Sequence, residues 1–147
     1  MDEPTIRTIR TLLGEVLDLC GGGGAAFWEV SADGADLVAR LHAGPDSVNL
    51  EGLRVPIDGS LVGMVLCTGM AMAVGPDAAY HPAARELTGI ATEAMAAAPV
   101  RVHGQTTGIL STINPRGRAL FGQDQLAALQ RQALALGRCL EDTAHGL

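Results

Sequence analysis

Hydrophobic positions recur every three or four residues near both ends of the chain. Near the N-terminus they are Ile6, Ile9, Leu12, Leu13, Val16, Leu17 and Cys20. Near the C-terminus they are Leu126, Leu129, Ala133, Leu136 and Leu140. Because this spacing gathers apolar side chains on one side of an α-helix, it predicts an amphipathic helix at each end.

Between these helices the hydrophobic pattern changes to short, alternating or continuous apolar runs. The stretch from 95 to 114 predicts two neighbouring strands that fold back at His103-Gly104-Gln105. Pro99 lacks a backbone N–H, so we expect it at a sheet edge or a local irregularity. Such a hairpin needs further strands and a helical cover to be stable.

Three more strands are predicted before this hairpin, over 25–30, 37–42 and 53–57. The first two are joined at Asp33-Gly34, a pair favoured in tight turns whose central residues both have positive φ. The run Gly21 to Gly24 is followed by neither a GK[ST] motif nor a helix. We therefore interpret it as a flexible connector rather than a phosphate cradle.

A short helix is predicted over 61–67, with Ser60 as its N-cap and Thr68-Gly69 at its end. Residues 71–74 favour one more extended piece. From 75 to 93 the pattern becomes irregular, with short helical turns around 83–87, and long irregular segments are usually functional or mobile. This order of elements predicts an α+β fold whose two terminal helices cover one face of a sheet.

Length and composition restrict the function further. The 147 residues suit a single domain over 1–147. The formal charge is −6, all ten basic residues are Arg, and only four residues are aromatic. An acidic chain without a basic face or stacking platform argues against nucleic-acid binding. The lack of Lys excludes a Lys Schiff base and a phosphate-loop Lys.

The apolar runs are too short to span a membrane, and the acidic N-terminus does not resemble a signal peptide. We therefore expect a cytoplasmic protein without membrane insertion. Its three cysteines, Cys20, Cys67 and Cys139, are isolated from one another and form no CxxC pair. The sequence predicts neither a zinc site nor a disulfide framework.

Several motifs together resemble the GAF domains of phosphodiesterases, cyclases and bacterial sensors. The matching runs, in order, are Val55–Gly63 with Thr68-Gly69, Pro76–Pro82, Leu87–Thr92, Ala98-Pro99-Val100 and Gly108-Ile109-Leu110. Asn114-Pro115, Phe121 and Asp124-Gln125 resemble the NKFDE signature of that subgroup. The resemblance covers essentially the whole chain, and its specificity comes from the order and spacing of the motifs.

The signature departs from the family at two positions. Pro115 stands in place of Lys, and Gln125 stands in place of Glu. In relatives that bind cyclic nucleotides, the Lys forms an ion pair with the Asp of the signature, which is Asp124 here. Arg116 is the candidate to replace that Lys. These departures argue against cyclic-nucleotide binding and leave the expected fold unchanged.

The resemblance implies a GAF-like, PAS-related antiparallel sheet of five or six strands with both terminal helices on one face. A ligand pocket would lie on the other face, under a lid made of the helix after Ser60 and the segment up to Thr92. The ligand-binding candidates carried over by position are Ser60, Tyr80, His81, Thr88, Thr92 and Met95. The alternative for these residues is structural, with Ser60 and Thr88 as helix caps and Met95 in the core.

Three roles are open for His81: it could contact a ligand, ligate haem iron or lie in solvent. One His without a second ligand is weak support for a metal, so neither a metal site nor haem is expected. GAF-type free methionine sulfoxide reductases carry Cys in regions that read Leu61-Val62-Gly63 and Thr88-Gly89-Ile90 here. The attachment Cys of bilin-binding relatives is also missing from the lid. We therefore predict no catalytic residues and no enzyme activity.

The function predicted from these observations is a sensory or regulatory domain in signal transduction. It would bind a small molecule, of which a nucleotide-like compound is one candidate, and require no other cofactor. It would form a homodimer through its terminal helices and act on an output domain or kinase as partner. Replacement of Leu136 by Asp is expected to dissociate this dimer. The alternatives are a pure dimerisation module with an empty pocket, a methionine sulfoxide reductase-like enzyme and a haem-binding sensor.

Overall fold

The computed structural model describes residues 1–47, 50–75 and 94–145. The helices within these ranges are α1 (Glu3–Cys20), α2 (Leu61–Thr68) and α3 (Gln123–His145). The strands are β1 (Gly22–Val30), β2 (Asp36–Ala43), β3 (Arg54–Pro56), β4 (Met72–Val74), β5 (Met95–Val102) and β6 (Gln105–Pro115). A 3-10 turn at Pro45–Ser47 follows β2.

The six strands form one sheet in the order β3-β2-β1-β6-β5-β4, and every neighbouring pair is antiparallel. The α+β fold with a central antiparallel sheet is therefore confirmed. The longest pairings join β6 to β1 and β5, so β6 lies at the centre of the sheet and β5 lies beside it.

Both ends of α1 are capped. The Asp2 carboxylate accepts a hydrogen bond of 2.9 Å from the backbone N–H of Thr5. At the other end, Gly21 adopts a left-handed φ of 68° and donates its N–H to the Leu17 carbonyl. This conformation favours glycine, which explains why the helix ends at the glycine run.

One face of the sheet is covered by α1 and α3. Their apolar stripes pack with Phe27, Val100 and Leu110 of the sheet in one core, to which the helices contribute Ile9, Leu13, Val16, Cys20, Ala128, Leu129, Ala133 and Leu136. Leu136 is fully buried there. The choice of Leu136 as a test of the dimer is therefore wrong, because an Asp at this position would disrupt the core of the monomer.

The opposite face of the sheet is covered by α2. Its buried side chains Leu61, Val62 and Val65 pack in a second core. The sheet contributes Ala26, Trp28, Leu37, Ala39, Val55, Met95, Ala97 and Ile109 to this core. Trp28 satisfies its indole N–H by donating to Ser111 Oγ at 2.9 Å. The lid position of α2 agrees with the expectation, whereas the predicted helical turns around 83–87 lie outside the described residues.

The glycine run is not a connector. Gly22 pairs with Pro115 and Gly24 pairs with Ile113, so β1 begins within the run. A Cβ atom on Gly22 would collide with Thr112 Oγ1, and one on Gly23 would collide with Asp46 Oδ2. The glycines therefore provide room for neighbouring side chains, a reason that the sequence alone does not reveal.

The loop between β1 and β2 also differs from the prediction. Gly34 has a φ of +75°, but Asp33 is not among the described non-glycine residues with positive φ. Ser31 N–H donates to the Asp36 carbonyl, and the Asp33 carboxylate accepts from the Ala35 N–H. The Gly34 N–H donates to the Ser31 carbonyl at 2.9 Å, so this five-residue loop contains a backbone turn from Ser31 to Gly34, which the Asp33 side chain supports.

Pro99 occupies the kind of position that was predicted. Within the described sheet, β4 pairs with β5 only at Met95, Ala96 and Ala97, so β5 has an open edge beyond these residues. The register between β5 and β6 also shifts between Val100 and Arg101. Both features tolerate a residue without a backbone N–H.

Candidate functional site

Ser60 lies at the start of α2, on the face of the sheet opposite the terminal helices. Its hydroxyl donates to the Pro56 carbonyl at 2.6 Å and accepts from the Gly63 N–H at 3.1 Å. Gly63 itself packs so closely on Ile57 that a Cβ would collide with the Ile57 carbonyl oxygen. Ser60 is therefore an N-cap that fixes α2 to the preceding chain.

Met95 lies beneath α2 at the start of β5. It pairs with Ile113 on one side and with Val74 on the other. Only 7% of its surface is exposed, within the core that also contains Leu61 and Val65. Met95 therefore packs in the core beneath α2, the helix that Ser60 caps. Four other predicted site residues, Tyr80, His81, Thr88 and Thr92, lie outside the described residues.

Arg116 pairs with a different acid from the one expected. Its Nη2 lies 3.5 Å from Asp46 Oδ1, so the expected contact with Asp124 is wrong. Asn114 Nδ2 donates to the other oxygen of Asp46 at 3.0 Å, and Asn114 has a left-handed φ of 58°. Asp46 thereby joins the 3-10 turn to the end of β6. Gly23 lies next to Asp46 in space and leaves room for its carboxylate. This glycine is the one sequence signal that relates to the role of Asp46.

Gln125, which replaces the Glu of the signature, caps α3. Its Oε1 accepts from the Gly122 N–H at 2.9 Å and from Arg118 Nη1 at 2.7 Å. A side chain at the third helical position that reaches back to the residue before the helix is half of a capping box. Phe121 is buried in the helix-side core. This part of the signature therefore positions the start of α3.

Two of the three thiols have raised pKa values, and the third is exposed to solvent. Burial raises the pKa of Cys20 to about 11, against an opposing effect of Arg131. Burial also raises the pKa of Cys139, with smaller effects of Asp142 and Asp2 in the same direction. Cys67 is exposed in the last turn of α2. A thiolate is the reactive form, so the two raised pKa values reduce reactivity.

A row of Ser47, His42 and Glu51 has the residue types of a catalytic triad but not its geometry. The distance from Ser47 Oγ to His42 Nδ1 is 3.5 Å, and the distance from His42 Nε2 to Glu51 is 3.8 Å. Ser47 is only 1% exposed, and its hydroxyl donates to the Ala43 carbonyl at 2.6 Å. A buried hydroxyl bound to a carbonyl cannot attack a substrate, so the row is structural.

The described residues provide neither a metal cluster nor a membrane-spanning helix. Within 1–47, 50–75 and 94–145, no group of three or more His, Cys, Asp or Glu residues could hold a metal ion. No helix in the same part of the chain has both the length and the apolar character needed to cross a membrane.

Many solved structures share this fold, among them three from bacteria. A GAF domain from a phosphoenolpyruvate-protein phosphotransferase of Coxiella burnetii has a TM-score of 0.80 and 14% identity, covering 97% of this chain and 85% of that one. The GAF domain of a two-component sensor histidine kinase from Bacillus halodurans has a TM-score of 0.74 and 16% identity, covering 100% of this chain and 99% of that one. A free methionine-R-sulfoxide reductase from Neisseria meningitidis, in complex with its substrate, has a TM-score of 0.77 and 19% identity, covering 97% and 81%.

These identities are low enough that the structural likeness establishes the fold alone. No curated protein matches the sequence. The sequence model of one family, the GAF domain, matches residues 4–140. GAF domains are typical of signalling sensor proteins and commonly accompany output domains such as kinases. Because this match spans nearly the whole chain, the protein belongs to the GAF domain family.

Proposed function

We propose that this GAF domain is a non-catalytic sensory or regulatory domain that binds a small molecule and dimerises through its terminal helices. The observation that carries the proposal is that different helices cover the two faces of the sheet. Among the described elements, α1 and α3 share one face and α2 alone covers the other. This arrangement separates a face suited to a ligand from a face suited to a partner.

The proposed ligand site lies on the α2 face and comprises Ser60, Tyr80, His81, Thr88, Thr92 and Met95. We assign Ser60 a positioning role, because both hydrogen bonds of its hydroxyl are made within the chain. Met95 would contribute apolar surface from beneath α2. A mostly apolar layer with a few polar groups at its rim is the usual composition of a small-molecule site, and a nucleotide-like compound is one candidate.

The absence of catalysis is part of the proposal. GAF domains are generally regulatory, although one structural neighbour is a methionine sulfoxide reductase. In this chain the high pKa of Cys20 and the positions of Cys67 and Cys139 support a non-enzyme. Purified protein is expected to show no turnover of free methionine sulfoxide with a thiol reductant. Measurable thiol-dependent turnover would contradict this part of the proposal.

Leu19 would lie in the proposed dimer interface. It is 52% exposed on α1, although this helix is otherwise packed on the sheet. Burial of such a side chain against a second copy would remove apolar surface from water. An output domain or kinase is the partner proposed for this dimer. We place this function in the cytoplasm.

Native mass spectrometry of freshly purified, never-denatured protein tests the ligand and the dimer together. The proposal predicts dimer mass plus an adduct of discrete mass that is released on unfolding. An absorbance scan of the same sample is expected to lack a Soret band, and a strong band would instead favour a haem sensor. An apo monomer would contradict both parts of the proposal.

A clean apo dimer would favour a second candidate function, a pure dimerisation module with an empty pocket. The packing of α2 favours this candidate, because Leu61, Val62 and Val65 are at most 9% exposed against the sheet. The two functions are separated by adding candidate nucleotides to the apo dimer. Saturable binding supports the sensor, and its absence supports the module.

A further inference from the structure

A groove with a volume of about 450 Å³ lies at the β5 edge of the sheet, between α3 and the segment that joins α2 to β4. This segment crosses from one face to the other. Met72 packs against the α2-side core, whereas Ala71 packs against the helix-side core. The groove therefore lies on the side of α3, away from the ligand site proposed above.

The walls of the groove are apolar and unusually exposed. Met70 on the connecting segment is 64% exposed, and Leu134 on α3 is 57% exposed. They are two of six exposed large hydrophobic side chains in the described ranges. Pro99 and Ala71 add further apolar surface. The convergence of two such side chains on one concave surface indicates a contact site rather than scattered surface residues.

The polar groups of the groove favour an anion. Arg101 Nη2 donates to the Gly69 carbonyl at 2.6 Å, a neutral acceptor. Four arginines, Arg10, Arg40, Arg54 and Arg116, form ion pairs with carboxylates, whereas Arg101 belongs to the arginines without such a pair among the residues that the structure describes. Its guanidinium has five donors in a planar fork that matches a carboxylate or phosphate. The exposed amide of Gln130 lies in the same groove.

We propose that this groove binds a small molecule with one carboxylate or phosphate group on an apolar body. The anion would bind Arg101 and Gln130, and the apolar body would lie between Met70 and Leu134. The volume falls within the range of small-molecule sites. In a chain with a formal charge of −6, an arginine without a carboxylate partner among the described residues provides local charge complementarity for an anion. The proposal does not depend on a ligand at the α2 face.

The test uses octanoate and octyl phosphate as probes and octanol as the uncharged control. Each is titrated into the full ¹⁵N-labelled chain, and backbone amide shifts are followed by NMR. We expect saturable shifts at 69–71, 100–101 and 130–134, and affinities for both anions about tenfold higher than for octanol. A larger shift with one anion identifies the preferred headgroup, and either preference supports the site.

Two variants and one control make the test specific. Arg101→Met should remove the tenfold higher affinity for the anions over octanol. Leu134→Gln should lower the affinity for all three probes. Arg131→Met removes an equal charge from an exposed position on α3 outside the groove, so it should leave the preference intact. Thermal melting checks that each variant is folded.

Four outcomes would overturn the proposal. One is the absence of saturable shifts up to the solubility limit of the probes. Another is binding that Arg101→Met and Arg131→Met affect equally. The third is a change of the same amides on simple dilution of the protein, which would assign the groove to a second copy of the chain. Stronger binding of an acidic, leucine-containing peptide than of either small anion would likewise replace the proposed ligand class.

Discussion

At the scale of single residues, the Cys20 thiol predicts how the free energy of unfolding depends on pH. Cys20 lies between α1 and α3, where its Sγ donates to the Gln125 carbonyl at 3.4 Å. Burial raises the pKa of the thiol from 9.0 to about 11, and Arg131 opposes the shift. The folded state therefore retains a proton that the unfolded state loses at lower pH.

The sign of the effect follows directly. The stabilising effect is complete below about pH 9 and is lost as pH rises towards about 11. Urea unfolding at a series of pH values should show a fall in unfolding free energy across this window that is smaller in Cys20→Ala. Cys67→Ala, at an exposed thiol, is the control and should behave like the wild type. Equal slopes in wild type and Cys20→Ala would show that the thiol does not govern this window.

Ser60 permits a second prediction at this scale. Ser60→Ala removes the oxygen that accepts from the Gly63 N–H, and loss of such a cap costs about 1 kcal/mol of unfolding free energy. Ser60→Asp retains an acceptor and should recover part of this loss. Thr8→Ala is the control, because the Thr8 hydroxyl is exposed and bonds only within α1. Urea unfolding of the three variants gives the comparison, and an unchanged stability of Ser60→Ala would reject the capping role.

The sequence predicts some residue roles and conceals others for a physical reason. The role of Ser60 follows from local chemistry, because a hydroxyl directly before an apolar helical run is a typical cap. The role of Asp46 depends on Asn114 and Arg116, which the fold brings to it from 68 and 70 residues away along the chain. A glycine at position 23 indicates that a side chain is excluded but not which group fills the space.

At the scale of elements, α3 approaches β5 unusually closely. A Cβ on Gly137 would lie closer than 3.0 Å to the Arg101 carbonyl oxygen, a distance that real Cβ atoms essentially never show. One turn further along α3, Glu141 accepts from the His103 N–H at 2.8 Å at the tip of the hairpin. The glycine and the acid together fix the crossing of the last helix over the central hairpin.

Gly137→Ala and Gly14→Ala form a matched pair that tests this crossing. In a helix, Ala is favoured over Gly by about 1 kcal/mol. A Cβ added to Gly14 in α1 would meet no atom within 4 Å, so Gly14→Ala should raise the unfolding free energy by about 0.5–1 kcal/mol. Gly137→Ala must displace the backbone of β5, and overpacking of this kind costs about 1–3 kcal/mol. Opposite signs in urea unfolding are expected, and stabilisation by both variants would contradict the close crossing.

Element types were largely predictable because periodicity is a local property. The apolar stripes identify α1 and α3, and alternation identifies the hairpin of β5 and β6. The start of β1 was missed because glycine disfavours a strand on its own, and only pairing with Pro115 and Ile113 makes the run extended. The exact turn after β1 was missed because it runs from Ser31 to Gly34, and the Asp33 side chain supports it through the Ala35 N–H.

At the scale of the whole molecule, the stripes on both terminal helices correctly predicted that they share one face of the sheet. Length and spacing did not reveal which leucines remain exposed after packing. Leu136 and Leu134 are two residues apart, but one is fully buried and the other is 57% exposed. The dimer stays a prediction, and the residue chosen to test it, Leu136, lies on the buried side of α3.

Leu19 provides a test of the proposed dimer that does not disturb the core. Leu19→Arg places a cation in the last turn of α1, where the helix dipole favours it, so the monomer should stay folded. If α1 contributes to the dimer, sedimentation analysis should show at least a tenfold rise in the dissociation constant, as expected from the loss of a buried leucine contact. Leu120→Arg is the control, because Leu120 is equally exposed but lies in the loop before α3. Leu136→Asp should instead lose cooperative thermal unfolding, since it places a charge in the core shared by both helices and the sheet. A Leu19→Arg protein that sediments like the wild type would show that Leu19 makes no contact in a dimer interface.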